Sequence, residues 1–187
     1  MLRLYFDGLY KAINDTHISK AHAGFICYGW LVARDGVVIA RGHGGYAEKR
    51  NATSSVAEYM ALIEGLEALL DMGVWDEPVE VFGDARALIE QMAGNSIVSS
   101  PSIKKLSQKA KRLSRRFADL RWQWMPRRYN RQADALTRRA MNQICNDRGR
   151  YEDTVEKLAC GTKRKVRAGK PILLVDMRVF QSAGLFC

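Results

Sequence analysis

Cysteine is scarce in this chain and scattered: Cys27, Cys145, Cys160 and Cys187 form no CxxC pair, and no histidine stands near them at metal-ligand spacing. That argues against a zinc site and against a disulfide framework, and leaves reduced thiols in a cytoplasmic protein as the simplest account. Long apolar runs are missing too. The first residues are interrupted early by Asp7, Lys11, Asn14 and Asp15, so no secretory leader is expected, and no run approaches the roughly 20 residues needed to cross a bilayer. There is no internal repeat. Acid is the minority charge, with 20 Asp and Glu against 30 Lys and Arg, a net charge of +10 and a pI near 9.7. The excess is concentrated between Pro101 and Arg150, where fifteen Lys or Arg face only Asp119, Asp134 and Asp147. Polyanions are the expected partners of such a stretch, because each neutralised phosphate releases counterions. A solvated helix face is the plainer alternative.

Against that background the placement of four acids stands out. Asp7 closes the apolar run Leu2 to Phe6, Glu58 opens a helix reading AEYMALIEGLEALL, Asp84 ends the strand-like VEVFG, and Asp134 lies in the first turns of RQADALTRRAM. Each is where a strand or helix can deliver a carboxylate to a common point. Carboxylates gathered in one place repel one another, and a divalent metal is the usual means of making the cluster tolerable. An acidic metal site on a basic protein suggests phosphodiester chemistry. Each acid also has an ordinary reading. Ser55 and Glu58 fit a capping box, Asp84 could cap a helix from Ala85, Asp134 could favour the positive end of a helix dipole, and Asp7-Gly8 could be a turn.

The hydropathy pattern places these acids on elements. Leu2 to Phe6 reads as a strand, and GFICYGWLVARDGVVIARGHGGY as two more joined by a tight turn at Asp35-Gly36. From Val56 apolar residues recur at helical spacing until Gly73 and Pro78. Val79 to Phe82 is a short buried strand, and a short helix runs from Ala85 to about Met92. A helix carrying Ile103, Leu106, Ala110, Leu113 and Phe117 on one stripe shows lysines and arginines to water. Arg121 to Met125 is a fifth strand, with Trp122 and Trp124 on one face and both expected to pack in or beside the sheet. A last helix starts near Asn130. The order predicts an α/β (α+β) fold: a mixed five-stranded sheet flanked by helices.

The segments FDG, TSSVAEYMALIEGL, GDARALIEQM and PRRYNRQADALTRRA, in this order and on these element types, resemble the ribonuclease H family, type 1 branch, over about residues 1–142. The resemblance implies that Asp7, Glu58, Asp84 and Asp134 are the catalytic, metal-binding carboxylates. They would hold two magnesium ions, with manganese as a substitute, and hydrolyse the RNA strand of an RNA/DNA hybrid. The chemistry suits two metals, one generating hydroxide and one stabilising the departing 3′-oxygen. By the resemblance Asp7 bridges them, Glu58 and Asp84 complete the leaving-group side, and Asp134 serves the side of the attacking water. Thr53, Ser54 and Ser55 occupy the turn where relatives sense the 2′-hydroxyl, and they could equally cap the helix. Arg127 and Arg128 stand in the loop before Asp134, where some relatives carry a histidine; a guanidinium can grip phosphate but does not shuttle protons near neutral pH. The segment LYKAINDTHISKAHAG also departs from the family's short turn. A hybrid-binding module of the same fold without efficient cleavage is the rival reading. An exonuclease of the same broad fold ranks last, because Asp7 is followed by Gly8 and Leu9 rather than completing an Asp-x-Glu.

Residues 143–187 are expected to form a basic C-terminal extension: a short helical stretch, a cationic linker around Lys163 to Lys170, and a strand at Ile172 to Val175. An added edge strand, a dimer contact on an otherwise monomeric protein and a hybrid-binding extension are its open roles.

Overall fold

The computed structural model of the protein describes residues 1–13, 23–48, 50–159 and 172–179. Its centre is a mixed sheet. Strand β1 (Leu2–Ala12) runs antiparallel to β2 (Gly24–Arg34), which runs antiparallel to β3 (Val37–Glu48). Asp35 and Gly36 both take positive φ, 51° and 85°, as the tight turn between two right-twisted strands demands. Helix α1 (Ser54–Asp71) then crosses over to β4 (Val79–Gly83), parallel to β1. Helices α2 (Arg86–Ala93) and α3 (Pro101–Ser114) lead to β5 (Leu120–Trp124), parallel to β4. The single turn of 3-10 helix Arg127–Tyr129 opens onto α4 (Arg131–Asn146), followed by α5 (Arg148–Ala159).

The five expected strands are present, and a sixth joins them. β6 (Ile172–Val179) pairs antiparallel with β3, giving the order β5-β4-β1-β2-β3-β6. Of the three roles left open for the extension, its backbone supplies the edge strand. The linker around Lys163 to Lys170 and residues 14–22 of the unusual first loop lie outside the described residues.

Alternation along the strands divides the core. Leu2, Leu4 and Phe6 of β1 and Tyr28, Trp30 and Val32 of β2 face Leu62, Leu66 and Leu69 of α1. Phe25, Cys27 and Leu31 face the other way, toward α4 through Ala133, Leu136, Ala140, Met141 and Ile144. β2 is therefore buried on both faces, which explains its nearly unbroken apolar sequence. Gly29 lets α4 approach β2: a Cβ there would stand 2.6 Å from Leu136 Cβ.

One strand boundary differs from expectation. Asp7 does not end β1; the strand continues to Ala12 because β2 pairs with it along its whole length, from Leu2↔Arg34 to Ala12↔Gly24. β4 pairs with β1 only from Leu2 to Tyr5. Beyond that point β1 loses its second neighbour, and Asp7 emerges into the gap. The Asp7-Gly8 pair is strand, not turn.

Candidate active site

Three chain segments meet where β4 stops. Asp7 comes from β1, Glu58 from the second turn of α1 and Asp84 from the residue after β4. Each offers one carboxylate oxygen, and these three oxygens lie within 4.8 Å of one another. Gly8 is what permits this: a Cβ on Gly8 would collide with the backbone of Ala57 and Glu58, so only glycine lets β1 lie against α1 here. The Gly8 backbone lies against the Glu58 carboxylate and partly offsets the burial that raises its pKa.

The ordinary roles weighed for these acids are taken by other groups. Thr53, not Ser55, is the N-cap of α1, its Oγ1 accepting from Val56 N at 3.2 Å. Glu58 is thus two positions beyond where a capping box would use it, and Ser54 and Ser55 are exposed in the first turn. Ala85 occupies the N-cap position of α2 without any side-chain bond, so Asp84 caps nothing. Its carbonyl accepts the indole N–H of Trp124 at 3.1 Å. This corrects the expectation for Trp124, which is 47% exposed while Trp122 packs against the main core. β5 is the edge strand of the sheet, and Trp124 is its last residue.

Electrostatics mark the trio as an unfavourable arrangement by itself. Burial, then the charges of Asp84 and Asp134, push Asp7 up to about 7. Burial, then Asp7 and Asp84, hold Glu58 well above the usual carboxylate range. Glu58 Oε2 is buried without a hydrogen-bond partner. An orphaned, buried carboxylate oxygen facing two other acids is the donor set a hard divalent cation takes, all oxygen and mostly charged.

Asp134 is close enough to act on Asp7 but is not one of the three clustered groups. Two arginines hold it: Arg127 Nη2 at 2.7 Å from Oδ1 and Arg138 Nε at 2.6 Å from Oδ2. Burial pushes its pKa up, but the bonds from Arg138 and Arg127 outweigh that and leave it below the usual value. Arg127 is therefore engaged with Asp134, while Arg128 lies over the Tyr129 ring at 4.8 Å.

Two supporting residues went unread in the sequence. Asn130, 2% exposed, donates from Nδ2 to the Phe6 carbonyl at 2.8 Å, tying the start of α4 to the residue before Asp7. Thr137 shares its single hydroxyl proton between the Asp134 carbonyl at 2.8 Å and Asp7 Oδ2 at 3.2 Å. Their spacing from Asp134, four residues before and three after, puts them on one helical face. That was the available signal, but nothing in the sequence says which strand the face meets.

The reverse transcriptase-like family model matches residues 11–140. Ribonuclease HI of Halobacterium salinarum is 33% identical over 139 residues, which is 74% of this chain and 63% of that protein. The bifunctional protein Rv2228c of Mycobacterium tuberculosis is 36% identical over 91 residues, 49% of this chain and 24% of its own length. The chain thus spans less than two thirds of these relatives. Among solved structures, the N-terminal RNase H domain of Rv2228c superposes with a TM-score of 0.63 at 29% identity, over 76% of this chain and 94% of that one. LC11-RNase H1, solved in complex with RNA/DNA hybrid, superposes with a TM-score of 0.66 at 26% identity, over 78% and 99%.

Proposed function

Since the chain belongs to the reverse transcriptase-like family and has the ribonuclease H fold, we propose that it is a ribonuclease H, a divalent-metal-dependent endonuclease that hydrolyses the RNA strand of RNA/DNA hybrids. The observation that carries the reading is the orphaned Glu58 oxygen within the Asp7, Glu58 and Asp84 cluster. A relative of the same fold solved on an RNA/DNA hybrid supports the substrate.

Asp7, Glu58 and Asp84 would hold one magnesium ion, and Asp7 with Asp134 a second; manganese would fit the same oxygen donors. Bound there, the ions supply the Lewis acidity that activates water and offsets charge on the departing 3′-oxygen. The protein's own part is preparation. Gly8, Asn130 and Trp124 fix the backbone at or beside the acids, so the charge that receives the cation is already in place. Asp7, whose pKa is raised to about 7 by burial and by its acidic neighbours, would hold a cation as its carboxylate. Arg127 and Arg138 keep Asp134 ionised. Arg127, 65% exposed, is placed to turn a guanidinium toward a phosphate without leaving the site. Thr53, Ser54 and Ser55 line the approach at the start of α1, and with Thr53 engaged as a cap the exposed hydroxyls of Ser54 and Ser55 are the better placed to meet a 2′-hydroxyl. No helix among the described residues is long and apolar enough to cross a membrane. The free thiols of Cys27 and Cys145 support a reducing, cytoplasmic setting.

The test is an end-labelled RNA/DNA hybrid incubated with the protein and magnesium or manganese, beside EDTA and Asp7→Asn controls. Cutting of the RNA strand alone, lost in both controls, is expected. Salt-sensitive binding without cleavage in either metal would favour a hybrid-binding module.

A further inference from the structure

Two tryptophans of the described residues are half exposed, Trp75 at 50% and Trp124 at 47%. They differ in their settings. Trp75 follows the C-terminal end of α1, roughly 20 Å of helix away from Glu58. Trp124 stands beside Asp84 and is held there. Its backbone pairs with Gly83, the next residue's N–H donates to the Gly83 carbonyl at 3.0 Å, and its indole N–H donates to the Asp84 carbonyl at 3.1 Å. Arg86, the first residue of α2, lies over its ring at 5.8 Å, and Glu90 fixes the same guanidinium at 2.8 Å. Arg86 remains 72% exposed.

An indole anchored by its N–H and braced by a cation loses little further freedom when something stacks on it, so the setting lowers the entropic cost of a contact. An exposed aromatic face with an adjacent guanidinium is the pair that holds single nucleic-acid strands: the ring takes a base or sugar, the cation a phosphate. Any strand that brings a phosphate to Asp7 passes close to Asp84, and the Trp124 ring stands beside Asp84. We propose that Trp124 and Arg86 form a substrate ledge that supports the scissile strand one step away from the carboxylate cluster. This rests on the hybrid-cleaving reading above. In a paired hybrid the bases stack on one another, so the ring meets the sugar and the guanidinium the phosphate, and the ledge contributes affinity and not base specificity.

The experiment is fluorescence anisotropy with a short fluorescein-labelled RNA/DNA hybrid in magnesium, on the Asp7→Asn background so that cleavage does not intervene. Trp124→Ala should weaken binding about tenfold. Arg86→Gln should weaken it several-fold and flatten its salt dependence by about one phosphate contact. Trp124→Phe, which keeps a ring, should change affinity less than about threefold, and Trp75→Ala should change nothing; thermal melts establish that each variant folds. Unchanged binding by Trp124→Ala, or equal losses in Trp124→Ala and Trp75→Ala, would overturn the ledge. If the parent protein and all variants alike fail to bind, the proposed function fails first and the ledge with it.

Discussion

Asp134 and the three clustered acids are near neighbours with opposite electrostatic solutions. Asp7, Glu58 and Asp84 are brought together by framework elements, burial and mutual repulsion outweigh the more distant Arg127, and the consequence is a raised pKa at Asp7 and Glu58. Asp134, on the fourth residue of α4, is neutralised by two arginines and stays ionised. The trio stores an electrostatic debt that an ion can relieve. Asp134 is already balanced, with exposed partners that can move. The contrast separates three acids whose repulsion a cation would relieve from one whose charge is already met by arginines.

The largest expected effect comes from breaking the trio. Asp7→Asn should lower hybrid cleavage about a thousandfold or more, the scale of losing a metal's contribution to the transition state. The same change should stabilise the metal-free protein. Because the folded-state pKa of Asp7 is raised to about 7 from an ordinary 3.8, its contribution to stability is lost as pH rises between those values. Melting temperatures without metal should therefore favour Asp7→Asn at pH 8 by about ten degrees, on the order of 4 kcal/mol, and the advantage should vanish near pH 4. Excess magnesium should shrink it, since the parent gains more from binding.

Gly8→Ala attacks the same trio through the backbone. The added methyl has backbone, not a flexible side chain, in its way. A loss of about 3 kcal/mol in chemical denaturation is expected, with cleavage falling further than the unfolded fraction explains.

Loosening Asp134 should cost less. Arg127→Ala with Arg138→Ala should reduce kcat about tenfold, while the melting temperature moves by no more than a few degrees, because both guanidinia are 65% exposed and screened by solvent. Removing them also raises the pKa of Asp134, so the acid limb of the pH profile should move to higher pH. An unmoved acid limb would detach Asp134 from the reaction.

The smallest effects belong to the start of α1. Thr53→Ala removes the cap and should cost about 1 kcal/mol in stability. Ser54→Ala should leave stability alone and weaken hybrid cleavage a few-fold. Equal losses of melting temperature and activity in Ser54→Ala would remove it from substrate recognition.

The sheet and its helices were legible because each element carries its own period: the Asp35-Gly36 turn, the helical spacing of Leu62, Leu66 and Leu69, and the apolar stretch of β2 all act locally. The acids were legible as candidates because each stands in a recognisable segment. What could not be read was pairing. That β1 runs past Asp7 to Ala12 depends on where β4 ends. That Thr53 caps α1 in place of Ser55 is a choice among three adjacent hydroxyls, settled by the chain's entry into the helix. Trp122 and Trp124 share a face, yet only Trp122 packs against the core, because Trp124 is the last residue of an edge strand. Of the arginine partners on Asp134, Arg138 sits four residues on in the same helix, whereas Arg127 comes within reach only when the turn at Arg127–Tyr129 is built.

The most direct test of the account is a titration of manganese into the metal-free protein, followed by electron paramagnetic resonance of the free ion, comparing the parent with Glu58→Gln at pH 7.5. Binding is expected in the parent, weakened at lower pH as Asp7 takes up its proton, with at least tenfold weaker binding in Glu58→Gln. Equal binding by both proteins would mean that the Asp7, Glu58 and Asp84 cluster is not where the metal goes.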